Sequence, residues 1–416
     1  MDSKLKLNVF WKAIEAVVTM AASFLQLAFI ARLYPPTFVG QYQLALAWLF
    51  LVTAFACFGG IVMVATRELS GSNDTKSIFS NALTFQIMIG VPVCVICVFI
   101  FRDSRYFTDL AMPLSIGTVA LIGSMILQMS QALLISKEKI SSVVVASIVG
   151  HLFATVATIV AAFQNLSILA LVIAWAAYNL VNGLVLLYQT TAWRFISFRL
   201  VTIDALRRLS LEILPVLIMI LATRLYVRVD VIMLGYFTDS EVVAQYSAGY
   251  LFLDQLMILS NFMMSALFPN FARSCSAHGK EYQALYRGIL ILFLKYLTPI
   301  ALLIAIFSRF LLSIVYGSEY AEAWGSLSVL MLAAIFAWLN GPSGTIFISL
   351  RKQHIYMWAT LLSLVVNLVG NLILIPSVGA IGAAISTVLT EAAICGFCLW
   401  WIYRETKYLP WMRAMG

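Results

Sequence analysis

Residues 223–246 decide the fold class of this chain, and their sequence is TRLYVRVDVIMLGYFTDSEVVAQY. Arg224, Arg228 and Asp230 lie inside its apolar, helix-length part. A charge at bilayer depth costs about 2.5 to 3.5 kcal/mol on insertion scales, so it normally faces a bundle interior or a water-filled cavity and marks a substrate or ion path. If the chain spans a membrane, these three residues therefore need a partner or a function.

The composition predicts an all-α polytopic membrane protein. The chain has 416 residues, of which 62% are hydrophobic and 11% charged, and its mean hydropathy is +0.98. Soluble domains are about 45 to 50% apolar and about 25% charged. Apolar stretches long enough to cross a hydrocarbon core of about 30 Å recur along the sequence. Runs such as 143–149 do not alternate between apolar and polar residues, which argues against a membrane β-barrel.

Apolar windows between charged or Gly/Pro-marked breaks predict twelve spans. The predicted spans are 8–33, 38–62, 78–101, 112–136, 142–163, 167–190, 210–236, 242–268, 286–308, 323–347, 354–375 and 380–403. The N-terminal sequence MDSKLKLNVF lacks a small-residue cleavage site, so we expect the first span to be retained.

Basic residues predict the orientation of these spans. With a cytoplasmic N-terminus, 19 of the 26 Lys and Arg residues fall on the inside and 4 on the outside. This bias predicts that both termini are cytoplasmic. The net charge of +8 is then a consequence of topology, and it leaves little support for nucleic-acid binding.

The loops argue against an enzyme. The longest connection, 191–209, is too short for a soluble domain, and the chain has no G-x-x-x-x-G-K-[ST] loop. A glycan polymerase or ligase would need a large outer loop, and none is predicted. We interpret the six cysteines as packing residues, because a metal site would need further ligands and only three histidines are present.

Short internal matches predict two six-span lobes. Residues 1–200 would hold spans 1–6, and residues 201–416 would hold spans 7–12. The order of the matches favours a parallel repeat, which is typical of transporters that rock two lobes around a central site; chance similarity between apolar sequences is the alternative. The matches are VGQY (39–42) with VAQY (243–246), SRY (104–106) with SEY (318–320), and KEK (137–139) with RKQ (351–353).

Ionisable residues inside the predicted spans are the candidates for function. Arg224 and Arg228 are four residues apart and share a helix face, whereas Asp230 points elsewhere and should meet a different helix. Three cations stand against three acids, so charge does not identify the substrate. The candidates are Arg224, Asp254, Lys295, Glu391 and His151 near the midplane, Arg228 and Asp230 in the outer half, and Lys12 and Glu15 in the inner third.

Each candidate has two interpretations. The arginine pair could bind phosphate or carboxylate, or it could form structural ion pairs with Asp254 or Glu391. These acids, with Asp230, could instead couple transport to protons or sodium. Lys295, four residues before Pro299, could line a cavity or extend to the interface. Lys12 and Glu15 are spaced for a local ion pair, and His151 suits a contact between helices.

Four segments carry a resemblance to a known family. They are ARLYPPTFVGQYQLALAW (31–48), RVDVIMLGYFTDSEVVAQYSAGY (228–250), IVYGSEYAEAW (314–324) and NLVGNLILIPSVGAIGAAIST (367–387). The sequence resembles the Wzx-type O-antigen and polysaccharide flippases of the multidrug/oligosaccharidyl-lipid/polysaccharide (MOP) exporter superfamily. The segments occur in family order but are helix-and-turn patterns, so they do not identify a substrate.

The resemblance implies a MOP/MATE-like fold, in which two six-helix lobes surround a central cavity. It implies movement of an undecaprenyl-diphosphate-linked oligosaccharide, such as an O-antigen unit for lipopolysaccharide, from the cytoplasmic to the periplasmic leaflet of a bacterial inner membrane by alternating access. Arg224, Arg228 and Lys295 would bind the diphosphate, with no catalytic residue, metal or cofactor. The bilayer, a polysaccharide polymerase and chain-length proteins are the expected partners. The alternatives are a cation-coupled multidrug exporter and a non-transporting scaffold of a glycan-assembly complex.

Overall fold

The computed structural model describes residues 3–57, 59–71, 74–103, 107–276, 281–349 and 352–406. These residues are helical almost throughout, as the apolar windows predict. The chain divides into two compact units, unit 1 with residues 1–228 and unit 2 with residues 229–416. The predicted repeat motif 104–106 and the first residue of the motif 351–353 lie outside the described residues.

Unit 1 holds seven helices and most of an eighth. Each long helix is an apolar run between charged or turn-forming residues, which is why its bounds follow the predicted spans closely. The helices are α1 (Ser3–Leu33), α2 (Pro36–Cys57), α3 (Gly59–Gly71), α4 (Thr75–Asp103), α5 (Ala111–Ser136), α6 (Ile140–Phe163), α7 (Ile168–Thr190) and α8 (Ile203–Phe237), of which α8 continues into unit 2.

Unit 2 holds the end of α8 and six further helices. The last helical stretch contains a break at Val378 and Gly379, where Gly379 has φ +58° and ψ −133°. This break falls between predicted spans 11 and 12. The helices are α9 (Ser240–Ser276), α10 (Glu281–Leu292), α11 (Thr298–Ile306), α12 (Ser308–Tyr316), α13 (Trp324–Ser349) and α14 (Gln353–Thr406).

Ten helices within the described residues are long and apolar enough to cross a membrane. The last of them, His354–Arg404, has 51 residues and includes the break at Gly379. Helix α8 is not among the ten; its 35 residues include Arg224, Arg228 and Asp230. The multi-pass helical class is confirmed, whereas the count of twelve spans remains a prediction.

The predicted lobe boundary at 200/201 differs from the unit boundary at 228/229. Leu209 and Ile213 at the start of α8 are 2% and 1% exposed, in a hydrophobic cluster with Ile61 and Val64 of α3 and Phe79 of α4. This packing places the first part of α8 in unit 1. Predicted span 7 starts at 210, but the helix starts at Ile203 because these apolar residues continue it.

Candidate functional site

A cationic face on α8 is the first feature of the candidate site. The guanidinium carbons of Arg224 and Arg228 lie 4.7 Å and 5.6 Å from the ring centroid of Phe50 on α2. Arg224 is exposed, and Arg228 and Phe50 are half-buried. A ring face attracts cations through its quadrupole, so Phe50 helps to hold two like charges side by side. We name Phe50, Arg224 and Arg228 the arginine face.

Asp230 does not belong to this face. It is 1% exposed, and its Oδ2 accepts a hydrogen bond of 2.6 Å from the Tyr246 hydroxyl on α9. Its Oδ1 accepts a hydrogen bond of 2.8 Å from the Val231 amide. As its helical phase predicts, Asp230 meets a different helix from the one that faces the arginines. A buried carboxylate that accepts two hydrogen bonds is a structural anchor for α8 and α9.

Lys295 lies in a π-helical turn of unit 2, Phe293–Leu297. Pro299 follows four residues later, and its ring cannot fit against the carbonyl group of residue 295 in a regular helix, so the turn widens. The Lys295 side chain is exposed, with Nζ 5.4 Å from the ring centroid of Tyr296. A π-helical turn therefore carries Lys295, and its role in lining a cavity or extending to the interface remains a prediction.

Asp254 and Glu391 are the two other candidate acids of unit 2. Asp254 on α9 and Glu391 on α14 are both half-buried. Tyr356 and Cys395 lie within electrostatic range of the Glu391 carboxylate. Among the described residues, no hydrogen bond or ion pair involves Glu391, so no arginine partner for it is found there. The coupling role predicted for these acids remains a prediction.

Three polar contacts of unit 1 involve the candidates Lys12, Glu15 and His151 or their neighbours. The Lys12 Nζ lies 2.7 Å from Glu15 Oε2, which is the local pair that their spacing of three residues suggests. The His151 ring packs against the Tyr178 ring, with centroids 4.3 Å apart, so His151 makes the expected helix contact. Asn182 donates a hydrogen bond of 3.3 Å to the Tyr178 hydroxyl.

An ion-pair cluster at the predicted cytoplasmic end of unit 1 was not expected from the sequence. Arg67 on α3 pairs with Glu212 on α8, and Arg208 on α8 pairs with Glu68 on α3 at 2.5 Å. Arg208 also lies 3.9 Å from Glu212. We name these four residues the inner cluster. No sequence signal identifies the inner cluster, because charged residues of this kind are common on helix faces that contact water.

The described residues contain no group of three or more His, Cys, Asp and Glu side chains that could hold a metal ion. Cys94, Cys395 and Cys398 are buried and Cys97 is half-buried, and none of these four described cysteines forms a disulfide bond. The candidate site therefore consists of the arginine face and of acids that are buried or half-buried.

Comparison with protein families gives the identification. The family model described as "Polysaccharide biosynthesis protein" matches residues 5–275. The chain belongs to the polysaccharide biosynthesis protein family. A second family model, MatE, matches residues 215–373. These two matches together confirm the resemblance to a polysaccharide exporter of the MOP superfamily.

Three curated relatives are similar to this chain. The "Putative O-antigen transporter" of Shigella dysenteriae is 24% identical over 371 residues, which is 87% of this chain and 90% of the relative. An uncharacterized membrane protein of Methanocaldococcus jannaschii is 31% identical over 179 residues. The "Probable low-salt glycan biosynthesis flippase" of Haloferax volcanii is 27% identical over 168 residues. The last two matches cover 42% and 40% of this chain but 34% and 36% of those relatives.

Solved structures share the fold. A lipid II flippase in an inward closed conformation superposes with a TM-score of 0.78 at 12% identity, over 94% of this chain and 87% of the other. An inward-facing multidrug resistance transporter of the MATE family superposes with a TM-score of 0.74 at 12% identity, over 95% and 98% of the two chains. The MOP/MATE-like fold is confirmed. Two of the three relatives and both structural neighbours are named as transporters or flippases, which supports the prediction that this chain is not an enzyme.

Proposed function

We propose that this protein is a flippase for a polyprenyl-diphosphate-linked oligosaccharide, moving the head group from the cytoplasmic to the outer leaflet of the cytoplasmic membrane. The arginine face carries the proposal. Two guanidinium groups beside one ring concentrate positive charge on one helix face, and this charge attracts an anion. A diphosphate suits this arrangement because planar, multi-donor guanidinium groups bind phosphate oxygens in pairs.

The names of the relatives support a glycan substrate. The Shigella relative is named as an O-antigen transporter and the Haloferax relative as a glycan biosynthesis flippase. We infer that an undecaprenyl-diphosphate-linked oligosaccharide is the substrate of this chain. Its diphosphate would bind Arg224 and Arg228, its sugars would occupy a hydrated space beside them, and its prenyl tail would stay in the lipid.

The inner cluster joins the first part of α8 to α3 within unit 1. Two arginines and two glutamates tie the start of α8 to α3, above the apolar contacts of Leu209 and Ile213. We propose that these contacts keep the first part of α8 on α3 and so position Arg224 further along the same helix. Exposed pairs of this kind contribute about 0 to 1 kcal/mol each, so the apolar contacts supply most of the stability.

Proton or sodium coupling is a further part of the proposal, with Glu391 and Asp254 as its candidates. Glu391 is the stronger of the two, because a half-buried carboxylate without an ion pair among the described residues can change its charge during the cycle. Asp230 suits coupling less well, since its hydrogen bonds hold α8 to α9. We also propose both termini as cytoplasmic, and a polysaccharide polymerase and chain-length proteins as partners.

The experiment that tests this function is glycan display in the host that carries this protein, with the chain deleted and then restored. We expect deletion to remove the surface glycan and to leave lipid-linked oligosaccharide on the cytoplasmic leaflet, and restoration to reverse both. Normal display without the chain would refute the proposal.

A multidrug exporter is the second candidate, because the MatE model matches residues 215–373. An exporter of organic cations should raise resistance to them when it is overproduced. We expect no such resistance, since an arginine face repels cations. Resistance that persists in a Glu391→Gln variant but falls in an Arg224→Gln variant would indicate export of an anionic drug. That result would support neither the flippase nor an exporter of organic cations.

A further inference from the structure

A groove on the surface of unit 2 lies outside the proposed transport site. Its volume is about 630 Å³, and it is lined almost entirely by apolar atoms from the two halves of α14. Its walls are His354, Ile355, Trp358, Leu361, Leu362, Val365, Phe397 and Trp401. Trp358 is 59% exposed and Val365 is 58% exposed, so the groove opens outward from the helices that form it.

One end of the groove is basic. His354 begins the first half of α14 and is exposed. Arg404, near the end of the second half, is also exposed and holds its guanidinium carbon 4.9 Å from the Trp401 ring centroid and 5.7 Å from that of Trp400. The residues that line the groove include no acid. Tryptophan beside a snorkelling arginine is typical of the membrane–water interface.

We propose that this groove binds one anionic glycerophospholipid of the cytoplasmic leaflet. An acyl chain lies along Leu361, Leu362 and Val365, and the phosphate group meets His354 and Arg404. A groove of this volume is of the size that holds one small ligand, which suits an acyl chain better than a long polyprenyl chain. Basic pockets between cytoplasmic helix ends are suited to anionic head groups. This inference needs the predicted orientation but not the flippase activity.

The test measures lipid retention by the full-length purified protein. Native mass spectrometry would compare phosphatidylglycerol with phosphatidylethanolamine of the same acyl chains, supplied in equal amounts. We expect the wild type to retain phosphatidylglycerol preferentially. A His354→Gln/Arg404→Gln variant should lose about fivefold of that preference, the share of the one arginine removed. The matched control is Arg309→Gln, since Arg309 is an exposed arginine of unit 2 that pairs with Glu322 at 3.5 Å.

Two further measurements test whether the lipid occupies the groove itself and whether a polyprenyl chain binds there instead. A Leu362→Trp variant should fill the groove and reduce retention of phosphatidylglycerol while His354 and Arg404 remain. Undecaprenyl phosphate, added as a competitor, should displace phosphatidylglycerol no better than an equal amount of unlabelled phosphatidylglycerol. Equal retention of the two phospholipids by the wild type, or stronger competition by undecaprenyl phosphate, would overturn the proposal. Glycan display does not enter this test, so its outcome is independent of the flippase proposal.

Discussion

Tyr246 donates a hydrogen bond of 2.6 Å to Asp230, sixteen residues earlier in the chain, and so joins α9 to α8. Tyr246 is fully buried and Asp230 is 1% exposed. A charged acceptor that loses its donor in a buried place keeps its desolvation cost. This pair therefore stabilises the helix that carries the arginine face without itself belonging to that face.

Tyr246→Phe should destabilise the protein by about 1 to 3 kcal/mol, because it leaves the Asp230 carboxylate with one hydrogen bond fewer. Thermal unfolding in detergent measures the effect. Tyr42→Phe is a matched control: Tyr42 occupies the equivalent place in the repeated motif, is 3% exposed, and makes no hydrogen bond to the described residues. Equal losses of stability in the two variants would contradict the anchoring role of the Asp230 contact.

Gly379→Ala should also lower the unfolding temperature. Gly379 has φ +58° and ψ −133°, a conformation that costs other residues about 1 to 3 kcal/mol. Gly382→Ala should be worse, since a Cβ there would lie 2.3 Å from the Leu374 carbonyl oxygen. Gly396→Ala is the control, because a Cβ at that position meets nothing within 4 Å. If all three variants unfold alike, the break between the last two predicted spans is not where the structure has it.

The inner cluster predicts a charge-swap result. Arg67→Glu should place two negative groups together and lower the free energy of unfolding by up to about 1 kcal/mol, the size of an exposed pair. Arg67→Glu/Glu212→Arg should restore this pair, while Arg208 keeps its contact with Glu68. Thermal unfolding in detergent measures both variants. A double variant as impaired as the single one would show that the individual residues matter and their pairing does not.

The sequence predicts the helices well and the side-chain partners poorly. Helices α4 to α7 follow the predicted spans within a few residues, because apolar runs and their breaks are local properties of the chain. The early start of α8 was missed because residues 203–209 include Asp204, Arg207 and Arg208, which end an apolar window, and only the structure shows that Leu209 packs against α3 and α4. Tertiary contacts of this kind have no counterpart in one sequence.

In the candidate site, too, the sequence predicts the helix faces but not the contacts between helices. Helical spacing placed Arg224 and Arg228 on one face and turned Asp230 away from them, because helical phase follows from residue number alone. Phe50 was missed, since nothing separates it from the other 26 phenylalanines of the chain. Tyr246 was noticed only as part of the repeated VAQY motif; its hydrogen bond to Asp230 needed the structure.

The arginine face is the central claim, and one double substitution tests it most directly. Arg224→Gln/Arg228→Gln removes both cations and keeps hydrogen-bonding side chains of similar length, whereas Arg309→Gln removes an exposed arginine outside the face. The measurement is surface glycan display at matched membrane abundance. The account predicts loss of display in the double variant and normal display in the control. Full display in the double variant, with normal abundance, would contradict it.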